Sequence, residues 1–176
     1  MPKTTFAGQP LHPQMIGAPA SLLPFSLILD VLYLVTRKPA HAQAAYYSLV
    51  AGCICGAAAA IAGALDYLSI PRRTSTRHTA NVHASLNLSL IVLYSINLLL
   101  RRGQRVPTGA MPLVLSLLGN GILTVSAWYG TRLVYTHGMR VEGVSPVERE
   151  SELKLPGDGK VADAFGQLLR IRFNRT

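Results

Sequence analysis

The stretch Thr79 to Leu100, TANVHASLNLSLIVLYSINLLL, limits what this chain can become more than any other. As a helix its ~22 residues, rising about 1.5 Å each, cover the roughly 30 Å apolar core of a bilayer. It contains no Asp, Glu, Lys or Arg and predicts a membrane span. His83, Asn87, Tyr94 and Asn97 follow one another at steps of four, seven and three, so with Leu90 between them they line one helical face. Hydrocarbon forms no hydrogen bonds. That face is therefore expected to meet polar partners on neighbouring helices or a water-filled cavity.

Three further apolar segments repeat the pattern, and spans are expected at about 16–36, 44–69, 79–100 and 111–135. Residues 1–15 read as an irregular N-terminal segment, and residues 136–176 as a polar tail whose stretch 160–172 has an amphipathic helical pattern. The fold class that follows is an all-α integral membrane protein, an up-down-up-down four-helix transmembrane bundle with a C-terminal surface extension. Composition agrees: 49% hydrophobic against 14% charged residues, with mean hydropathy +0.30, is far from an ordinary soluble domain. The net charge of +9 would suggest nucleic acid in a soluble protein. Here the basic residues gather at span ends, as Arg37-Lys38, Arg72-Arg73, Arg77 and Arg101-Arg102, where lipid headgroups are the expected partners and nucleic acid is not. Cys53 and Cys55 lie two apart in an apolar helix, about 200° around the axis from each other, and read as small core residues. No cleavage site follows the N-terminal segment, so the first span is expected to act as an uncleaved anchor.

Within the spans the polar residues keep helical spacing. Asp30 shares a face with Ser26, Tyr33 and Arg37, and Pro24 is expected to kink that helix. An acid in a span costs about 2.5–3.5 kcal/mol on insertion scales, so Asp30 should face the bundle, paired or protonated. Gly52, Gly56, Ala59 and Gly63 form a small-residue stripe for close helix packing, and Asp66 continues it. In the fourth span Ser116, Asn120, Thr124, Ala127 and Thr131 form a polar stripe, while Trp128, Tyr129 and Tyr135 suit an interface.

Alternating spans sort these residues by membrane side. His12, Asp66, His83, Asn87, Arg132 and His137 are expected to cluster towards one face, and Asp30, Tyr33, Asn97 and Asn120 towards the other. Lys3, Arg72, Arg73, Arg77 and Arg140 on the first face balance Arg37, Lys38, Arg101, Arg102 and Arg105 on the second. The tie leaves only the basic tail to favour both termini in the cytoplasm.

Leu11-His12-Pro13, Val82-His83-Ala84-Ser85-Leu86-Asn87 and Leu133-Val134-Tyr135-Thr136-His137-Gly138 together resemble a bacterial family of four-span membrane proteins catalogued as domain of unknown function 2231. The resemblance covers about residues 11–144. It implies a multi-pass protein of the bacterial cytoplasmic (inner) membrane, and members are sometimes joined to Rieske-type iron–sulfur domains. Relatives usually carry a second His after the His-Pro step, where this chain has Ile16-Gly17-Ala18-Pro19. The Cys and His pairs of an iron–sulfur domain are missing too, so any such centre belongs to another protein.

The first functional reading is an accessory or structural subunit of a larger energy-converting, respiratory or photosynthetic membrane complex. It would dock on other membrane subunits through its small-residue helix face and its tail, with the polar stripes as interhelical glue. The alternative is a redox subunit for electron transfer: His83 with His12 or His137 would ligate a b-type haem or line a quinone pocket, although His12 and His137 lie outside the expected spans. A third reading is a small transporter acting as an oligomer, in which Asp30 and Asp66 relay protons from opposite faces. A metal site from His12, Asp66, His83 and His137 is chemically reasonable as a set of nitrogen and oxygen ligands, but no strong metal-ligand spacing stands out and no metal ligands are assigned. Neither a nucleophile constellation nor a phosphate loop appears, and no catalytic residue is expected.

Overall fold

The computed structural model describes residues 5–6, 9–102, 110–139 and 141. Four helices in it are long and apolar enough to cross a membrane. The N-terminal segment is less irregular than expected. Two short strands, β1 (Thr5–Phe6) and β2 (Gln9–Pro10), pair antiparallel with Thr5 opposite Pro10. The Gln14 amide closes this unit, donating to the carbonyls of Phe6, Gln9 and Pro10 at 3.2–3.3 Å.

Helix α1 (Leu11–Met15) turns at Ile16 into α2 (Gly17–Thr36). Together they make one span, Leu11–Thr36. Pro13 is tolerated because it sits in the first turn, where no backbone N–H has a partner to lose. The span therefore starts earlier than the apolar run, and it takes in His12. Pro24 lies inside α2 without ending it. The end comes at Arg37, left-handed at φ 55°, whose N–H bonds the Tyr33 carbonyl. Helix α3 (Pro39–Leu68) begins directly after, with proline at its first position. Helix α4 (Ser75–Leu100) is capped by the Thr74 hydroxyl, which accepts from the Arg77 N–H at 3.1 Å. Helix α5 runs Met111–Tyr135. Both α3 and α4 start about a turn before their apolar stretches, because caps and prolines, not hydropathy, set a helix start.

Neighbours in sequence pack against each other, α2 on α3, α3 on α4 and α4 on α5, and α5 also meets α2, which closes the bundle. The α2–α3 contact is held by two reciprocal hydroxyl bonds, Ser26 Oγ to the Ala45 carbonyl at 2.9 Å and Ser48 Oγ to the Leu22 carbonyl at 2.8 Å. The small-residue stripe of α3 lies on this same side. A Cβ at Gly52 would meet Leu22 and Leu23, one at Gly56 would meet Pro19, and one at Gly63 would meet His12. The stripe is thus covered by the chain's own α1 and α2. This corrects the expectation that it docks another subunit.

Leu23, Leu49, Leu90 and Tyr94 form the buried centre, joined by Cys53, Leu98, Ile122 and Leu123. A second apolar cluster of Ile70, Ala80 and Leu133, with Tyr67 and Met139, sits where α3, α4 and α5 end or begin. Outward-facing Val35, Ile54, Ile61, Leu88, Leu99 and Leu118 present the exposed apolar surface that contact with a bilayer requires. The amphipathic helix expected near 160–172 lies outside the described residues.

Candidate functional site

Polar groups concentrate at the two ends of the bundle. At the end where the first span begins, His12 in α1 reaches α3, its Nδ1 2.8 Å from the Ala59 carbonyl oxygen. A carbonyl only accepts, so Nδ1 carries the proton and Nε2 holds a lone pair. His83, in the third turn of α4, reaches α5 in the same way, its Nδ1 2.9 Å from the Ser126 carbonyl oxygen and 3.1 Å from Ser126 Oγ. Its Nε2 accepts from the Asn87 amide at 3.1 Å, while that amide also donates to the His83 carbonyl at 2.9 Å. The two rings therefore share one tautomer. Their centroids are 6.3 Å apart and their planes stand at 79°.

Glycines make room for both rings. A Cβ on Gly63 would lie 3.0 Å from Cε1 and Nδ1 of His12, and one on Gly130 would lie 3.1 Å from Cε1 of His83. His12 and His83 are each partly exposed, so the pair is neither sealed in the core nor free in solvent.

Other residues expected at this end take different places. His137 is held on α4 by Thr76 Oγ1 at 3.3 Å and Thr79 Oγ1 at 3.1 Å. Arg132 is exposed and stacks over Trp128, 4.9 Å from the ring centroid. Asp66 is buried in the last turn of α3. Both His83 nitrogens are engaged, Nδ1 by Ser126 and Nε2 by Asn87. Arg77 folds back to cap α3, donating to the Tyr67 and Ile70 carbonyls at 2.8 and 3.1 Å with its guanidinium over the Tyr67 ring.

At the opposite end Asp30 finds a partner that hydropathy had hidden. Arg101 donates from Nη1 to Asp30 Oδ1 at 2.8 Å and from Nη2 to Oδ2 at 2.5 Å, with both side chains buried. Its Nε bonds Asn97 Oδ1 at 2.9 Å, and the Asn97 amide continues to the Pro112 carbonyl at 2.9 Å and Ser116 Oγ at 2.8 Å. One continuous network thus ties α2, α4 and α5. Arg101 was expected at lipid headgroups, yet it is 1% exposed. The missed signal was its spacing, one turn after Asn97 on the polar stripe of α4. Asn120 stays outside the network, its amide satisfied by the Ser116 carbonyl of its own helix at 2.8 Å. Tyr33 is only partly buried, and no side-chain hydrogen bond is found for it among the described residues. Thr124, Ala127 and Thr131 are exposed, whereas Ser126, which the sequence did not single out, is the α5 residue that faces His83.

An imidazole pair at one end of a four-span helical bundle, and a buried ion pair at the other, define an integral membrane protein with polar groups gathered at both ends. Residues 8–143 match the family described as predicted membrane protein (DUF2231), and the chain belongs to that family. No curated protein and no solved structure matches the chain.

Proposed function

We propose that the chain is a membrane redox subunit whose working part is the His12–His83 pair. One observation carries this reading: each ring gives its Nδ1 proton to a backbone carbonyl of another helix, which leaves Nε2 as the acceptor nitrogen, held on His83 by the Asn87 amide, with the ring centroids 6.3 Å apart. Histidines that ligate metals are held in this way, with the second nitrogen fixed by a carbonyl or carboxylate. A lone pair suits an electron-pair acceptor such as a metal centre, or the hydroxyl of a quinol. It does not suit the carbonyl of an oxidised quinone, which needs an N–H. A b-type haem fits poorly, because the space left by Gly63 and Gly130 is filled by the imidazoles themselves and Asn87 occupies the acceptor nitrogen of His83.

The full chain, purified in detergent and supplied in turn with copper, haem and a short-chain quinol, tests the proposal. The expected result is one redox-active species with the wild type, lost in both His12→Leu and His83→Leu while helicity is retained. A wild-type protein that holds none of the three would end the reading.

A structural accessory subunit is the second reading. It is favoured by the exposed apolar side chains on all four spans, which offer area to another membrane protein; the stripe on α3 does not. The transporter reading loses its support at Asp30, whose two oxygens are both engaged by Arg101. For orientation, burial of Arg101 against Asp30 removes it from the loop charges and breaks the tie, which favours the end of the bundle where the first span begins, with Arg72 and Arg73, on the cytoplasmic side of the bacterial inner membrane. Labelling of single cysteines placed at Arg73 and Arg102 by a membrane-impermeant reagent in intact cells tests this: Arg102 is expected to react and Arg73 to be protected.

A further inference from the structure

We infer that the outer face of α5 holds one anionic phospholipid, its phosphate on Arg132 and an acyl chain along the helix down to Gly121. The site is separate from the histidine pair and does not rest on the redox reading. Arg132 is exposed on that face and lies over the Trp128 indole, 4.9 Å from the ring centroid. Tyr129 meets the same indole edge to face at 89°, with ring centroids 4.9 Å apart, and so steadies the ring that carries the guanidinium. Among the described residues Arg132 makes no ion pair and no side-chain hydrogen bond, so its N–H fork is open to a further acceptor. Towards the middle of the helix the same face carries exposed Leu118 and Val125 with Gly121 between them. A Cβ at Gly121 would meet nothing within 4 Å, which makes a notch between two apolar side chains.

Depth and charge then select the occupant. The 25 residues of α5 extend about 37 Å against roughly 30 Å of bilayer hydrocarbon, so a centred helix projects about 3–4 Å at each end. Arg132 stands one turn, about 4.5 Å, before the end at Tyr135, which puts it at the hydrocarbon boundary beneath the lipid phosphates. A cation that faces lipid at this depth is costly without an anion beside it. A phosphate answers the planar guanidinium with two parallel N–H···O bonds. Gly121 lies about 16 Å below Arg132, close to half the hydrocarbon thickness, so an acyl chain whose phosphate rests on Arg132 reaches the notch. Net headgroup charge decides between lipids: a zwitterionic headgroup brings its own ammonium to the phosphate, whereas an anionic one leaves the phosphate to the arginine.

The full chain in detergent is titrated with phosphatidylglycerol and with phosphatidylcholine of the same acyl chains, and bound lipid is read by native mass spectrometry. One phosphatidylglycerol is expected to be held at least about fivefold more tightly than phosphatidylcholine. Arg132→Gln should remove that preference and Arg132→Lys should keep part of it, while Gly121→Leu should weaken both lipids alike by filling the notch. Arg72→Gln and Arg73→Gln, at exposed bases on the same end of the bundle, should leave the preference in place. Each substitution is at an exposed position, and circular dichroism checks that the helices remain. Equal affinity of the wild type for the two lipids, an unchanged preference in Arg132→Gln, its loss in Arg72→Gln or Arg73→Gln, or unchanged binding in Gly121→Leu would overturn the inference. So would a co-purifying protein that Arg132→Gln releases while lipid binding stays the same, because the cation would then answer an acidic partner subunit.

Discussion

Tyr94 is 2% exposed, and among the described residues its hydroxyl is the buried side-chain polar atom with no hydrogen-bond partner. It lies on the same α4 face as Asn87 and Asn97, and helical spacing alone marks it as another polar contact. Packing overrides that reading: the ring belongs to the apolar centre with Leu23, Leu49 and Leu90, and its tip lies against Gly119. A buried hydroxyl without a partner costs about 1–3 kcal/mol, so Tyr94→Phe should raise stability by about 1 kcal/mol in reversible unfolding from detergent. Destabilisation would mean that the hydroxyl makes a bond of its own. Gly119→Ala should destabilise by about 1–3 kcal/mol, because the new Cβ would lie 2.6 Å from Tyr94 Cζ and 2.8 Å from Cε2. Those are ring carbons, so Phe at 94 should not rescue it, whereas Leu should. Spacing shows which residues share a face, but not which of them has a partner across it.

Between elements, the ion pair and the stripe make opposite demands on their surroundings. Asp30 and Arg101 lie on α2 and just beyond α4, and removing either leaves the other charge buried. Asp30→Leu or Arg101→Leu alone should cost about 3–5 kcal/mol, while the double substitution should cost much less than the sum, because no bare charge remains. Additive losses in the double variant would show that the two side chains act separately. On α3, Gly56→Ala should be nearly neutral, since its Cβ meets Pro19 only at an ordinary 3.6 Å. Gly63→Ala should displace the His12 ring and weaken any ligand held there, a difference that parallel binding assays of the two variants would show. The sequence made the stripe and Asp30 plain. It left Arg101 among the lipid-facing cations because a charge next to a loop looks the same whether it turns outwards or back. The polar run on α5 misled for a related reason: Asn120 and Thr124 bond carbonyls one turn back on their own helix, so their spacing says nothing about a neighbour.

For the molecule as a whole, four long apolar stretches were enough to read the class and the order of the helices, because bilayer thickness fixes span length and short connections force neighbours antiparallel. The imidazole pair was only half legible. His83 sits inside an apolar run, whereas His12 precedes one and joins its span because a proline is harmless in a first helical turn. The Asp30–Arg101 contact also has a meaning in time. The ribosome makes the acid 71 residues before the base, so the first span must enter the membrane while its cation is still unmade. Until Arg101 is made, Asp30 lacks its ion-pair partner, so the contact between α2 and the end of α4 can form only late in synthesis.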